Sequence, residues 1–175
     1  RYGADRITDI VSGLKTFARK DSAEKKHTDI GQCLEEALSL TNNRLKYYVQ
    51  VEKEIEPGLP KVWANAQQLV QVFVNLLLNT ADAVGERDGL LKIKARSIGG
   101  GRIQIEFIDN GQGIPRENQG KIFDTYFTTK PLGQGTGLGL SITHGIIQDH
   151  QGTIEVESEP DKGSAFTITL PTEKL

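Results

Sequence analysis

The chain has 175 residues, of which 21 are Lys or Arg and 23 are Asp or Glu, so its formal net charge is −2. This balance of charge gives no electrostatic support for binding to nucleic acid or to an anionic membrane. No apolar run approaches the ~20 residues of a membrane-spanning helix, and the single cysteine excludes an internal disulfide. The lack of methionine and the start at Arg1 indicate a piece of a longer protein.

The first predicted elements are two helices and a strand. Apolar residues between positions 5 and 20 recur at the i, i+3, i+4, i+7 spacing of one helix face, and the charged segment 20–26 then predicts a hinge. Asp29 with Gln32 three residues later resembles a capping box, so a second helix is expected to start there. Alternating apolar residues predict a strand over 49–55.

The second half of the chain is predicted to alternate between helices and hairpins. A long helix is expected over 66–84, with Asn65 as its cap, and a shorter one at about 137–150. Two runs of alternating apolar and polar residues, joined by three glycines, predict one hairpin. Two further alternating runs predict a second hairpin near the end of the sequence. This order predicts an α+β fold, with helices on one face of a mixed, mainly antiparallel sheet.

A stripe of polar residues runs along the helix predicted for 66–84. Its members recur at spacings of three and four and therefore share one face: Gln68, Gln71, Asn75, Asn79 and Asp82. A solvated face is the simplest interpretation. However, the segment contains no Lys, Glu or Arg, the residues that usually serve a solvent-facing helix. Two amides four residues apart also suit a polar ligand or a magnesium ion held jointly with phosphates.

Two glycine-containing loops follow. Residues 109–114 read Asp-Asn-Gly-Gln-Gly-Ile at the end of a predicted strand, which fits either a simple turn or a close approach to a ligand. Residues 133–139 carry four glycines at alternate positions and lead directly into a helix. A helix start after such a loop can bind phosphate through its free N–H groups. The loop lacks the Gly-Lys-Ser/Thr of a Walker A motif, and Leu140 breaks the dinucleotide fingerprint.

Together, these segments resemble the N, G1, F and G2 boxes of sensor histidine kinases. The matching segments are 75–83, 109–114, 123–130 and 135–140. The amino-acid sequence from Phe123 to Ser141 is similar to that of the nitrogen-regulation sensors. The resemblance implies a Bergerat-type two-layer sandwich of the GHKL superfamily, preceded by one long N-terminal helix. It further implies that residues 1–22 are the second helix of a dimerisation and phosphotransfer hairpin, that 23–29 are a hinge, and that 30–173 are the ATP-binding domain.

The resemblance also implies a role for individual residues. Asn79 would ligate the magnesium that bridges the ATP phosphates, Asn75 would support the phosphate side, and Asp82 would line the same pocket. Asp109 would accept the adenine amino group. Gly111 and Gly113 would shape the adenine pocket, and Lys130 would meet the terminal phosphates. The residues that would wrap these phosphates beneath a mobile lid at about 120–136 are Gly135, Thr136, Gly137, Leu138 and Gly139.

Asn75 and the three histidines bear on the chemistry. Relatives that hydrolyse ATP carry a Glu at the position of Asn75, and because Asn cannot take a proton, transfer to another nucleophile is favoured. His27, His144 and His150 lack the acidic residue that follows a phosphoacceptor in this family, so no catalytic histidine is expected here. His150 is expected to be structural. The acceptor would lie on a helix upstream of Arg1.

The predicted function is therefore that of the catalytic fragment of a cytoplasmic sensor histidine kinase, whose parent protein could be anchored in the inner membrane. Its partners would be MgATP, the phosphoacceptor helix, a second copy in the full-length homodimer, and a response regulator. Two alternatives stay open. One is an ATPase or serine kinase of the same fold, and the other is a non-catalytic module in which nucleotide only sets a conformation.

Overall fold

The computed structural model describes residues 24–85, 88–131 and 135–173. The helix predicted between residues 5 and 20 lies outside these ranges. The helices are α1 Ile30–Leu45, α2 Ala66–Val84, α3 Arg116–Gln119 and α4 Gly139–Asp149. The strands are β1 Lys26–Thr28, β2 Val49–Ile55, β3 Val62–Ala64, β4 Gly89–Gly99, β5 Arg102–Asp109, β6 Thr153–Glu159 and β7 Gly163–Pro171.

Five strands form one mixed sheet in the order β2-β4-β5-β7-β6. Only the β2–β4 pairing is parallel, and it sets Val49 opposite Gly89 and Ile55 opposite Ala95. The other three pairings are antiparallel, including the two predicted hairpins β4–β5 and β6–β7. The predicted α+β fold with a mainly antiparallel sheet is therefore confirmed.

The core lies between this sheet and the helices. Alternate residues of β4 and β5 are buried, as their period-2 pattern predicts, and they include Ile93, Ile105 and Phe107. Helix α2 packs between α1 and α4, and the ring of Phe73 on α2 lies 5.6 Å from that of Phe107 between centroids. Burial on this scale explains why α2 is largely apolar: its stripe of amides is the exception within a central helix.

Helices α1 and α2 both begin with a side-chain cap. The Asp29 carboxylate accepts a hydrogen bond from the Gln32 N–H at 3.2 Å, and the Asn65 side chain accepts one from the Gln68 N–H at 3.1 Å. Both caps were expected from the sequence, because an acceptor side chain at this position satisfies one of the free N–H groups of the first turn.

A second, two-stranded sheet includes part of the segment predicted to be a hinge. Strand β1 pairs with β3 in antiparallel fashion, with Lys26 opposite Ala64. The Thr28 hydroxyl adds a hydrogen bond of 2.8 Å to the Ala64 carbonyl. Three-residue strands carry too little periodicity to be recognised, so the sequence predicted neither of them. Within the described ranges, no helix is both long enough and apolar enough to span a membrane.

Candidate functional site

The centre of the candidate site is the polar face of α2 where it meets α4. Asn75 donates its amide hydrogens to α4: the Nδ2 atom lies 3.1 Å from the Gly139 carbonyl and 3.3 Å from the Thr143 hydroxyl. Thr143 is fully buried. These bonds hold the start of α4 against the middle of α2 and leave the Asn75 Oδ1 as the side chain's remaining polar atom. A Glu at this position has no N–H to donate to the Gly139 carbonyl.

Thr143 is a site residue that motif reading missed. It follows Gly139 by four residues, so both lie on the same side of α4 and face Asn75. This i, i+4 relation is the only signal in the sequence that could have identified it.

Asn79 lies one turn beyond Asn75 and is half-buried. Its amide makes no hydrogen bond with any other described residue. A neutral amide oxygen that is free in this way fits magnesium, which accepts one or two protein oxygens together with phosphate and water. The described residues also contain no group of three His, Cys, Asp or Glu side chains that could hold a metal by themselves. The donor set thus fits a cation that arrives with its nucleotide.

Asp109 ends β5 and is nearly buried, with 7% of its surface exposed. Burial raises the pKa of this carboxyl, while hydrogen bonds from the backbone N–H groups of Gly111 and Ser164 act in the opposite direction. The Gly111 N–H lies 2.8 Å from the Asp109 Oδ1. A carboxylate so fixed at a strand end is a rigid acceptor for an amine such as that of adenine.

The loop after Asp109 is packed tightly between α2 and the β6–β7 turn. A Cβ atom on Gly111 would lie 2.8 Å from the Ala83 Cβ, and the Gln112 N–H donates to the Ala83 carbonyl at 3.0 Å. Gly113 has a φ of +69°, and a Cβ there would lie 2.1 Å from the Glu159 carbonyl oxygen. Both glycines are therefore required by backbone packing, in addition to their predicted place around adenine.

The second glycine loop packs against exposed residues of the segment that precedes it. Gly137 has a φ of +65°, and a Cβ there would lie 2.3 Å from the Tyr126 carbonyl carbon. The Tyr126 N–H donates to the Gly137 carbonyl at 2.9 Å, although Tyr126 itself is 75% exposed. Gly135 lies instead against side chains, those of Thr128 and of the aliphatic part of Lys130.

Helix α4 begins without a side-chain cap. Its N-cap residue is Leu138, whose side chain accepts nothing, and Gly139 and Leu140 follow it. The Thr136 hydroxyl accepts the Leu138 N–H, at 3.3 Å, just before the helix. The first turn of α4 thus keeps the free N–H groups and positive end of the helix dipole that bind phosphate. The predicted start at about 137 was early by two residues, because Gly137 has a left-handed φ.

Asp82 and Lys130, two of the predicted site residues, contact each other directly. The Lys130 Nζ lies 2.5 Å from the Asp82 Oδ2, and the Nη2 of Arg44 on α1 lies 2.7 Å from the Asp82 Oδ1. We call these three residues the charge triad. Arg44 belongs to no motif, and nothing in its local sequence indicated it.

His150 joins the far ends of the two helices. Its Nε2 accepts a hydrogen bond of 3.0 Å from the Asn65 N–H, and its Nδ1 donates to the Ile146 carbonyl at 2.7 Å. Burial lowers the pKa of this imidazole and so favours its neutral form, and the Asn65 N–H selects the tautomer in which Nε2 is the acceptor. The expected structural role of His150 fits this geometry, since neither nitrogen is free.

Comparison with known families identifies the family of the chain. Residues 64–174 match the family described as "Histidine kinase-, DNA gyrase B-, and HSP90-like ATPase". The chain therefore belongs to that family, and the resemblance inferred from the four boxes is confirmed.

Among curated proteins, the chain is similar to sensor histidine kinases. It is 35% identical over 169 residues to sensor histidine kinase ZraS of Escherichia coli (strain K12), covering 96% of this chain and 36% of that protein. It is 33% identical over 184 residues to the sensory histidine kinase/phosphatase NtrB of Rhizobium leguminosarum bv. phaseoli, covering 97% of this chain and 47% of that one. The chain thus spans less than half the length of these relatives.

Among solved structures, the chain is similar to histidine kinase ThkA. The catalytic domain of ThkA superposes with a TM-score of 0.75 at 32% identity, over 85% of this chain and 96% of that one. ThkA in complex with the response regulator protein TrrA superposes with a TM-score of 0.78 at 25% identity, over 98% of this chain and 49% of that one. These matches confirm the predicted fold. The roles assigned to single residues and the domain boundaries stay predictions.

Proposed function

We propose that this chain binds MgATP and, as part of a longer cytoplasmic kinase, donates the γ-phosphoryl group to a histidine on an upstream helix. A response regulator would then receive the group on an aspartate. The observation that carries the proposal is the meeting of α2 and α4. There, the Asn75 amide bonds to the uncapped start of α4, which follows a glycine loop. Asn79 lies one turn further along the same face of α2 and makes no hydrogen bond with any other described residue.

The chemistry divides between positioning and charge. The first turn of α4 would bind phosphate oxygens through backbone N–H groups, and Lys130 would add a point charge. Asn79 would hold magnesium, which when bound supplies charge neutralisation at the transferring phosphoryl group. Because phosphoryl transfer needs little more than placement and charge stabilisation, the lack of a general base at Asn75 is no obstacle when the acceptor is an imidazole.

The acceptor is proposed to lie outside this chain, because none of its three histidines suits the role. His150 is buried with both nitrogens bonded. His144 is half-buried, with its ring 5.2 Å from that of Phe123 between centroids. His27 lies on strand β1, its ring against that of Trp63, whereas a phosphoacceptor in this family lies on a helix.

Calorimetric titration with ATP, in the presence of magnesium and then of EDTA, tests binding. We expect tight binding only with magnesium, and we expect Asn79→Ala to reduce the affinity to that measured in EDTA. Asn43→Ala, an exposed asparagine on α1, is the matched control and should bind as the wild type does. Absence of MgATP binding by the wild-type chain would overturn the proposal.

Incubation with γ-labelled ATP tests the transfer step. Label should remain off this chain alone and should appear on an added domain that carries the acceptor helix of the parent kinase. Label on this chain would contradict the assignment of the acceptor. Fast release of inorganic phosphate would instead favour the ATPase alternative, and binding without transfer would favour the nucleotide-sensing module.

A further inference from the structure

The charge triad places a carboxylate within the proposed nucleotide site. Asp82 follows Asn79 by three residues on the same face of α2, and its neighbour Ala83 packs against the loop after Asp109. Asp82 therefore lies between the parts of the site assigned to adenine and to phosphate. An uncompensated carboxylate there would repel the nucleotide and would retain Lys130 as its own counter-ion.

The geometry of the triad separates the two cations. Each Asp82 oxygen has its own partner, with Arg44 on Oδ1 and Lys130 on Oδ2, so the two contacts do not compete for one atom. Arg44 comes from α1, which also packs along α2, whereas the Lys130 side chain lies against Gly135 of the second glycine loop. One cation thus belongs to the helical layer and the other to the phosphate-binding segment.

We propose that Arg44 is a positioning residue that frees Lys130 for the nucleotide. On this inference, which rests on the proposed function, Lys130 exchanges the Asp82 Oδ2 for a phosphate oxygen when MgATP binds. Arg44 stays on the Oδ1 and keeps the carboxylate neutralised. The triad carries two positive charges and one negative, and the surplus positive charge is what the phosphates take up.

An ordinary surface ion pair would behave differently. The Arg44 side chain is 63% exposed, and exposed pairs contribute little to stability. A purely structural role would therefore leave nucleotide affinity unchanged. The proposed role instead predicts that replacing Arg44 lowers the affinity for ligands that carry phosphates. This loss of affinity should be smaller at high salt and should disappear when Asp82 is replaced by an uncharged residue.

The test measures dissociation constants of MgATP and of adenosine at low and high salt. Arg44→Gln should weaken MgATP binding about five-fold at low salt and less at high salt, with adenosine unchanged. Arg44→Lys should restore most of the loss. Asp82→Asn should bind MgATP more tightly than the wild type, and adding Arg44→Gln to it should change the affinity by less than about two-fold.

Arg96→Gln is the matched control, because Arg96 loses the same charge on the sheet, where it bonds to Gln104. It should stay within about two-fold of the wild type. The inference is overturned alone if the wild type binds MgATP and Arg44→Gln binds equally well, or if Arg44→Gln is as harmful with Asn at position 82 as with Asp. A wild-type chain that fails to bind MgATP overturns the proposed function itself.

Discussion

The two glycine loops have similar sequences but are held in different ways. The loop after Asp109 packs its glycines against the backbone of α2 and of the β6–β7 turn. The loop before α4 packs Gly137 against the backbone of Tyr126 and Gly135 against the side chains of Thr128 and Lys130. Tyr126 and Thr128 are exposed and lie outside the helices and strands. The part of the site assigned to adenine is therefore held by elements of the core, whereas the part assigned to phosphate is held by an exposed segment without regular secondary structure.

Gly113→Ala should have the largest effect, and it tests how firmly the first loop is held. The new Cβ would lie 2.1 Å from the Glu159 carbonyl oxygen, at a left-handed φ of +69°. We expect the free energy of unfolding to fall by about 3 kcal/mol, because neither the turn nor β5 can move without disturbing the sheet. Chemical denaturation measures this loss. A loss no larger than that caused by Gly137→Ala would show that the first loop is held no more firmly than the second.

Asp109→Asn should have the next largest effect. It should lower the affinity for MgATP and change the stability in a way that depends on pH. Asn presents an N–H beside the adenine amine, so MgATP affinity should fall by about 2 kcal/mol. Because burial raises the pKa of the Asp109 carboxyl, ionising it costs stability, and this cost appears as the pH rises through the raised value.

Denaturation of both forms, at a pH below the ordinary Asp pKa of 3.8 and at pH 8, tests the second part. The stability of Asp109→Asn relative to the wild type should be greater at pH 8, because only the wild type then carries the buried charge. An equal difference at the two pH values would show that the pKa of Asp109 is not raised in the folded protein.

Gly137→Ala is the counterpart of Gly113→Ala in the second loop. Its Cβ would lie 2.3 Å from the Tyr126 carbonyl carbon, a clash as severe as that at Gly113. The clash is with backbone and the φ is left-handed, but Tyr126 lies in an exposed turn and not in the sheet. We therefore expect stability to fall by about 2 kcal/mol, less than for Gly113→Ala. MgATP affinity should fall about tenfold, since the helix start is displaced. Equal destabilisation by the two alanines would contradict the comparison.

Thr143→Val probes the contact that ties α4 to α2. Valine keeps the shape but leaves the Asn75 N–H without its hydroxyl partner, which should cost about 1 kcal/mol of stability. Thr143→Ser keeps the hydroxyl and is the control. We expect MgATP affinity to be retained by the serine variant and reduced by the valine variant in calorimetric titration. Equal affinities would mean that this bond does not position the site.

Gly145→Ala gives the smallest expected effect, and the opposite sign. Gly145 lies inside α4, and a Cβ there meets no atom within 4 Å. Alanine should therefore raise the free energy of unfolding by about 0.5 to 1 kcal/mol, because glycine loses more entropy in a helix. Denaturation measures the gain. A loss of stability would show that there is no room for a Cβ atom at position 145.

Much of the fold could be predicted because its signals are local. The caps at Asp29 and Asn65, the amide stripe and the triple-glycine hairpin each lie within a few consecutive residues. The contacts that the sequence did not reveal join distant segments. Arg44 meets Asp82 across 38 positions, and strands β1 and β3 are too short to show a period. Tertiary packing decides such contacts, and no pattern in one segment encodes them.

The small β1–β3 sheet gives the domain a mechanical anchor. Strand β1 is bonded through Thr28 to Ala64, the next residue is the cap of α2, and the N–H of that cap is bonded to His150 at the end of α4. Two hydrogen bonds and one peptide bond therefore connect β1 to the two helices that frame the site. This connection does not pass through the five-stranded sheet.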